Sequence, residues 1–386
     1  MVLLAGPRQC GKTTLAKKIL TSLPGQILNW DIDQDRLRIL KKEFEYNQDL
    51  WVFDELHKYR RWKNWLKGLY DQFQHEKKIL VTGSAKLNVF KKSRDSLQGR
   101  YFFHRLHPFT VAELIENRKL SNFSAFEQFL KSPLDHKKPP KDLVTSLLKF
   151  SGFPEPFLYG SEQRASRWRY NYGQRLIQED LRQLHDIRQV DRIELLYDRL
   201  PEVATSSITM KRLAFDLEVS FESIKSWIEM FDSLYSCFRI APYGLAKIQA
   251  VKKQQKIFLW DWARIDIPGA RLESFVALHL LRLIHWAEDV WGEKMELRYY
   301  RDQQQHEVDF LIMRKRQPLL AIEVKSSEEE TDRGISYLAE RVKIPYLFQL
   351  YLKGKGERGK GENLAKTKSG HKIWKIEVGR FLAGLV

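Results

Sequence analysis

The chain has 386 residues, too many for one ordinary hydrophobic core, so two to four domains are expected. Its 43% apolar content excludes extended disorder, and 66 Lys and Arg against 49 Asp and Glu give a formal charge of +17, which favours a polyanionic partner such as DNA. Two cysteines, Cys10 and Cys237, exclude a disulfide framework or structural zinc site, and no apolar run reaches membrane-spanning length, so a soluble, cytoplasmic protein without a membrane partner is expected.

The N-terminal pattern is a short apolar strand over 1–5 and a helix over 14–21, with GPRQCGKT between them. Gly6-x-x-x-x-Gly11-Lys12-Thr13 in that setting is a P-loop pattern. Gly6, Pro7, Arg8, Gln9, Cys10, Gly11, Lys12, Thr13 and Thr14 are therefore the expected nucleotide-binding residues. Glycines let backbone N–H groups approach phosphate, Lys12 would reach the β- and γ-phosphates, and the Thr13 hydroxyl would hold Mg²⁺. ATP and Mg²⁺ are the ligands this predicts.

QILNWDID reads as a second strand, and DLWVFDELHKY contains an apolar strand that ends in Asp54-Glu55. That is a Walker B pattern, with Asp54 for the Mg²⁺ shell and Glu55 to polarise the attacking water. KKILVTGSA is a third strand, after which Thr82 or Ser84 could sit beside the γ-phosphate. A strand from Arg100 to Leu106 leads to a helix start near Thr110, where Glu113 completes a capping box. Arg100 and Arg105 are candidates to stabilise γ-phosphate charge, within the subunit or from a neighbour, although a basic surface accounts for them equally well.

The stretches GPRQCGKTTL, FDELHKYRRWKNWLKGLYD, LVTGSAKL, GRYFFHRLHPFTVAEL and GFPEPF resemble prokaryotic AAA-like ATPases that carry a C-terminal domain of unknown function 4143. The resemblance spans nearly the whole chain. Members of that family usually carry some tens of residues before the P-loop, and a small apolar residue where Cys10 stands here. The expectation is therefore a chain that starts further upstream, or one that lacks an adenine-holding segment and binds ATP weakly.

From about 123 to 189 the pattern is mainly helical, interrupted by the basic, proline-containing loop KSPLDHKKPPKD, and reads as a lid or connector. ITMKRLAFDLEVSFESIKSWIEMFDSLYSCFRIAPY then gives a helix over 211–217, a turn, a helix over 221–234 and a strand. That order is a winged helix, and the family resemblance includes such a module here. Ser220, Glu222, Ser223 and Lys225 would lie at the start of its second helix, where DNA bases are read, though such modules also contact proteins.

After the link GLAKIQAVKKQQ, the order helix, three strands, helix, strand matches a restriction-endonuclease-like core. Asp309 lies in EVDF, Glu323 and Lys325 share one strand face in IEVK, and Glu273 lies one helix earlier. These residues resemble the motif of the PD-(D/E)XK nuclease superfamily. Glu273, Asp309 and Glu323 would hold Mg²⁺, and Lys325 would steer the nucleophile. A salt-bridged core that kept the same residues is the alternative. The tail LKGKGERGKGENLAKTKSGHK reads as a flexible basic loop.

The fold expected is α/β and multidomain: a P-loop NTPase core of the ASCE/AAA-like kind over 1–118, a helical lid or connector over 119–195, a winged helix over 196–245 and a nuclease-like domain over 246–386. The expected function is an ATPase acting on DNA, with ATP coupled to the winged helix and a Mg²⁺-dependent nuclease-like domain. Two alternatives stand beside it: a DNA-binding or regulatory switch with a silent C-terminal domain, and a signalling ATPase with a protein partner. A homo-oligomer is compatible with all three.

Overall fold

The computed structural model describes residues 1–84, 97, 99–116, 120–135, 138–181, 189–206, 210–244, 255–328, 332–353, 364–367 and 369–386. Most of the basic tail, the link at 245–254 and the residues of LVTGSAKL after Ser84 lie outside them. The chain divides into two compact units, Met1–Pro108 with Ser233–Tyr235, and Phe109–Asp232 with Ser236–Val386.

The first unit is built on five parallel strands, β1 (Val2–Ala5), β2 (Gly25–Asn29), β3 (Leu50–Asp54), β4 (Lys78–Gly83) and β5 (Phe102–Arg105), ordered β2-β3-β4-β1-β5. Helices α1 (Lys12–Leu20), α2 (Asp33–Lys41) and α3 (Trp62–Phe73) connect them. Alternation along the strands feeds two cores, because successive side chains leave opposite faces. Leu3, Trp51, Phe53, Ile79 and Val81 pack with Ile39 of α2 and with Trp62, Leu66 and Leu69 of α3. Leu4, Val52 and Leu80 pack with Ala16 of α1. Both faces being covered explains why β3 reads as an unbroken apolar run.

The second unit opens with α4 (Val111–Leu114), where Thr110 and Glu113 form the expected capping box. Then come α5 (Phe123–Lys131), α6 (Lys141–Phe150), α7 (Pro154–Tyr159), α8 (Glu162–Arg175), α9 (Val190–Val203), α10 (Met210–Asp216) and α11 (Phe221–Ser233). β6 (Cys237–Pro242) and β7 (Lys256–Leu259) form an antiparallel pair after α11. The remaining elements are α12 (Pro268–Trp286), β8 (Met295–Arg301), β9 (Glu307–Arg314), β10 (Gln317–Ser327), α13 (Arg333–Arg341), β11 (Tyr346–Lys353), β12 (Leu364–Lys366), β13 (Lys372–Glu377) and α14 (Val378–Ala383). All eight strands share one mixed sheet, ordered β12-β13-β11-β10-β9-β8-β6-β7. Ala321 of β10 packs with Ile335 and Leu338 of α13, and alternation turns the equally buried Leu320 and Ile322 to the other face.

The first compact unit ends at Pro108, and the segments expected over 119–195, 196–245 and 246–386 lie together in the second. Hydrogen bonding joins these segments: β6 pairs with β7 on one side and with β8 on the other, through Ala241↔Arg298 and Pro242↔Tyr299. Trp262 Nε1 donates to Leu147 O at 2.7 Å, and Arg264 Nη2 donates to Tyr197 O at 2.8 Å, so both helical segments are tied to the start of the last one.

His279 fixes the start of α4. The Val111 N–H, which has no partner within its own helix, donates to His279 Nε2 at 3.2 Å, so Nδ1 carries the proton and donates to Phe275 O at 2.8 Å. Arg282, one turn on, pairs with Glu113 at 3.0 Å. Burial lowers the His279 pKa to about 4, and the nearby Arg282 charge acts in the same direction. The unfolded chain, with a value near 6.5, therefore takes up this proton first, and stability present above pH 6.5 is lost as pH falls towards 4. The expected loss from pH 7 to pH 5 is about 2 kcal/mol from this residue, read by denaturant unfolding at both pH values. An equal pH dependence in His279→Gln would remove the assignment.

Candidate functional site

The parallel strands of the first unit end in register along one edge. Ala5 lies beside Gly83 and Arg105, Asp54 beside Thr82, and Asn29 beside Asp54. The loop Gly6–Gly11 leaves β1 at that edge and enters α1 through Gly11, whose φ of +99° is the left-handed conformation that favours glycine. Lys12 is only 6% exposed, and its Nζ donates to Pro7 O at 2.7 Å and Gly6 O at 3.1 Å. The ammonium is thus held inside the loop by two backbone carbonyl oxygens. Gly6 also lies against chain: a Cβ there would meet Leu106 O at 2.4 Å.

Asp54, 2% exposed, is the hub of the edge. Its Oδ2 accepts from Thr13 Oγ1 at 2.8 Å and from Asn29 Nδ2 at 3.2 Å, while its Oδ1 accepts from Thr82 Oγ1. Glu55 follows in the left-handed region at φ 56°, its N–H donating to Thr82 O at 3.0 Å. Burial raises the Glu55 pKa above the ordinary carboxylate value, against the pull of Lys12 and Lys58. Lys58 stands 3.6 Å from Glu55 and 2.5 Å from Asp31, and His57 stands 3.6 Å from Glu55. Ser84 follows β4 at the same edge. The donor set suits magnesium: a hydroxyl and a carboxylate, hard oxygens, beside a buried cation. Arg8, Gln9, Cys10 and Thr14 complete the loop, with Cys10 Sγ turned to Leu106 O at 3.9 Å.

The two arginine candidates part here. Arg105 ends β5 beside Ala5, at the P-loop edge. Arg100 precedes β5, so in a parallel sheet it lies at the opposite edge, where it pairs with Asp71 of α3 at 2.7 Å. A role for Arg100 at the γ-phosphate of its own subunit is therefore corrected by strand direction. Asn29 was missed by sequence reasoning; its signal was a polar residue ending an apolar strand, ILN.

The second unit gathers a separate cluster. The Val324 N–H donates to Asp309 Oδ2 at 2.9 Å, and the Asp309 N–H donates to Glu323 Oε2 at 3.3 Å, so β9 and β10 lock both carboxylates side by side. Lys325 Nζ lies 2.8 Å from Glu323 and 2.9 Å from Asp332, the N-cap of α13. Lys256, 4% exposed, lies 3.0 Å from Glu273, 2.5 Å from Glu307 and 3.9 Å from Asp309. Burial alone would lower both lysines, but Glu273 and Asp309 around Lys256, and Glu323 with Asp332 around Lys325, outweigh it and hold both pKa values above the ordinary one. The acids respond in the opposite sense. Burial and then Asp309 push Glu273 up to about 8; burial raises Asp309; burial, Asp309 and Asp332 raise Glu323. Five crowded carboxylates share Lys256, Lys325 and Arg301, the last 3.6 Å from Glu307, a deficit of positive charge.

That deficit and the paired Asp309 and Glu323 fit a Mg²⁺ of the kind held by two carboxylates and water. Glu273 differs from expectation: Lys256 engages it, and among the described residues no three His, Cys, Asp or Glu side chains converge as a metal-binding group. Lys256, Glu307 and Asp332 were not singled out from sequence. Ser220 and Ser223 bond each other at 2.9 Å at the start of α11, which also carries Glu222 and Lys225.

An AAA domain family matches residues 1–115, a domain of unknown function 8612 matches 141–263, and the domain of unknown function 4143 matches 268–377. The chain thus joins an AAA-like ATPase domain to a C-terminal domain of unknown function 4143. It is 25% identical over 310 residues to the uncharacterized protein MJ1544 of Methanocaldococcus jannaschii, covering 78% of this chain and 67% of that protein. Among solved structures, the Aeropyrum pernix ORC1 protein in complex with DNA is 12% identical, with 72% of this chain and 86% of that chain covered and a TM-score of 0.31. Drosophila ORC bound to DNA is 14% identical, with 66% and 85% covered and a TM-score of 0.24. Scores at that level leave the fold to be argued from the chain's own strands. Among the described residues no helix is long and apolar enough to cross a membrane.

Proposed function

We propose that the chain is an ATP-hydrolysing AAA-like ATPase that acts on DNA, with a phosphodiester-cleaving site in its C-terminal domain. The observation that carries the ATPase reading is the convergence of Thr13, Thr82 and Asn29 on the buried Asp54, beside a Lys12 held inside the loop. Thr13 and Asp54 would hold Mg²⁺, which would neutralise phosphate charge. Lys12 draws the β- and γ-phosphates into the loop, Glu55 orients and polarises the attacking water, and Thr82 and Ser84 flank the terminal phosphate. Arg105 is the arginine for that charge, in this unit or towards a neighbouring copy.

Gly6→Ala tests the loop without touching a charged group. Its Cβ must displace the Leu106 carbonyl, so the loop shifts, and a stability cost of about 1–3 kcal/mol is expected together with weaker Mg–ATP binding. Thermal unfolding with and without Mg–ATP reads both; an unchanged ligand-induced shift contradicts the cradle.

At the C-terminal cluster, Asp309 and Glu323 would hold the divalent cation, which would offset charge developing on the phosphodiester. Lys325, tied to Glu323 and Asp332, steers the nucleophile. Asp332 positions that lysine and Lys256 positions Glu273 and Glu307. The pair α10 and α11 with the β6/β7 hairpin serves as a winged helix on DNA, and the helices α5 to α9 as lid or connector. A second reading has one observation in its favour: Lys256 beside Glu273, Glu307 and Asp309 supplies an internal cation, as a silent, salt-bridged cluster would require. Incubating the protein with several DNA forms, Mg²⁺ or Mn²⁺, and with or without ATP, separates the two: cleavage supports the nuclease, and DNA binding without cleavage supports the switch.

A further inference from the structure

The second unit carries a basic groove of about 820 Å³ outside the acid–lysine cluster. One wall is α6, which presents Lys141, Thr145 and Lys149 at helical spacing; the other walls supply Lys138, Arg271 of α12 and Lys353 at the end of β11. Against these five cations the lining holds one carboxylate, Glu377, which is paired with Lys138 at 2.9 Å, while Lys149 is paired with Glu162 from outside the lining, leaving Lys141, Arg271 and Lys353 without a carboxylate from the lining. Lys141, Lys149 and Lys353 are exposed. Like charges collected on one concavity repel one another, so this arrangement raises the free energy of the unbound protein and is relieved by an anion.

We propose that this groove is a docking track for a nucleic-acid backbone, an inference that rests on DNA as the partner. The length of the track favours a polymer over a single phosphate. Lys141 and Lys149 are eight residues apart on one helix, about 12 Å at 1.5 Å per residue, which matches the axial rise of three to four base pairs. Lys353 extends the charge onto the sheet, at the end of a strand that runs parallel to β10, the strand that carries Glu323 and Lys325. The track therefore meets the sheet at the strand next to β10, with Lys353 opposite Ser327 two residues beyond Lys325, and a backbone lying along it is delivered to that side of the unit. Lysine side chains at this spacing contact phosphates without reading bases, so the binding is independent of sequence and strongly salt-dependent.

The test compares the full chain with the triple variant Lys141→Gln, Lys149→Gln, Lys353→Gln, binding fluorescent duplex and single-stranded DNA across a range of salt concentrations. These side chains are exposed and uninvolved in the cores, and thermal unfolding verifies that the variant is folded. Each phosphate contact contributes about 0.9 to the slope of log K against log salt on duplex DNA. The expected result is weaker binding of the variant with a slope shallower by roughly 2 to 3. DNA binding by the full chain with the same slope and affinity in the variant overturns the groove while leaving DNA as a partner. No DNA binding by the full chain at low salt overturns both. Loss of inorganic polyphosphate binding without any change in DNA binding also overturns the proposal and assigns the groove to another polyanion.

Discussion

Replacing Lys12 with Ala is expected to lower Mg²⁺-dependent ATP hydrolysis by about 100-fold to 1000-fold, the cost of removing one preorganised charge from a phosphoryl-transfer site. Lys12 has a second role that makes the effect larger than one lost ion contact. Its ammonium ties Gly6 O and Pro7 O together, so it shapes the same backbone whose N–H groups must face phosphate. Arginine does not rescue it, because a planar guanidinium in a space this buried cannot make the same pair of carbonyl bonds and also meet two phosphates. Nucleotide affinity and turnover, measured together, read the prediction. Wild-type values in Lys12→Ala would reject the P-loop role.

The second large effect belongs to the other unit. Asp309→Asn, or Lys325→Ala, is expected to reduce Mg²⁺-dependent DNA cleavage by on the order of 100-fold or more, with ATP hydrolysis in the absence of DNA unchanged. Asparagine keeps the Val324 N–H bond to the side chain, so β9 and β10 stay joined while the charge disappears. Loss of Lys325 leaves Glu323 and Asp332 without their shared cation in a cluster already short of positive charge. A Glu273→Gln variant should behave differently. Lys256 is the partner of Glu273, so part of its effect appears as lost stability, which denaturant unfolding separates from lost cleavage. Full cleavage by Asp309→Asn or Lys325→Ala would discard the nuclease assignment.

The legible part of this molecule is the part coded by short-range chemistry. Gly11 requires a left-handed backbone, Thr110 and Glu113 cap a helix between themselves, and Asp54 ends an apolar run, so each could be read within a few residues. The strand order β2-β3-β4-β1-β5 could not be read that way. It decides that Thr82 sits beside Asp54 and that Arg100 lies at the wrong edge, because a parallel strand has its two ends at opposite edges of the sheet. Lys256 was invisible for a similar reason: at the head of KIFLW it looks like an ordinary strand start, and only the pairing of distant chain segments surrounds it with Glu273, Glu307 and Asp309. Glu307 was recoverable, since it lies two residues before Asp309 and alternation puts both on one strand face. The pairing of β6 with β8 was not legible either, because it joins segments far apart in sequence.

The coupling of ATP to DNA is read by steady-state ATP hydrolysis of the full chain in Mg²⁺ at low salt, titrated with duplex and single-stranded DNA. Turnover is expected to rise with DNA to a plateau and return to its basal rate as added salt displaces the DNA. Turnover that is indifferent to every DNA form, in a protein that hydrolyses ATP, would contradict that coupling.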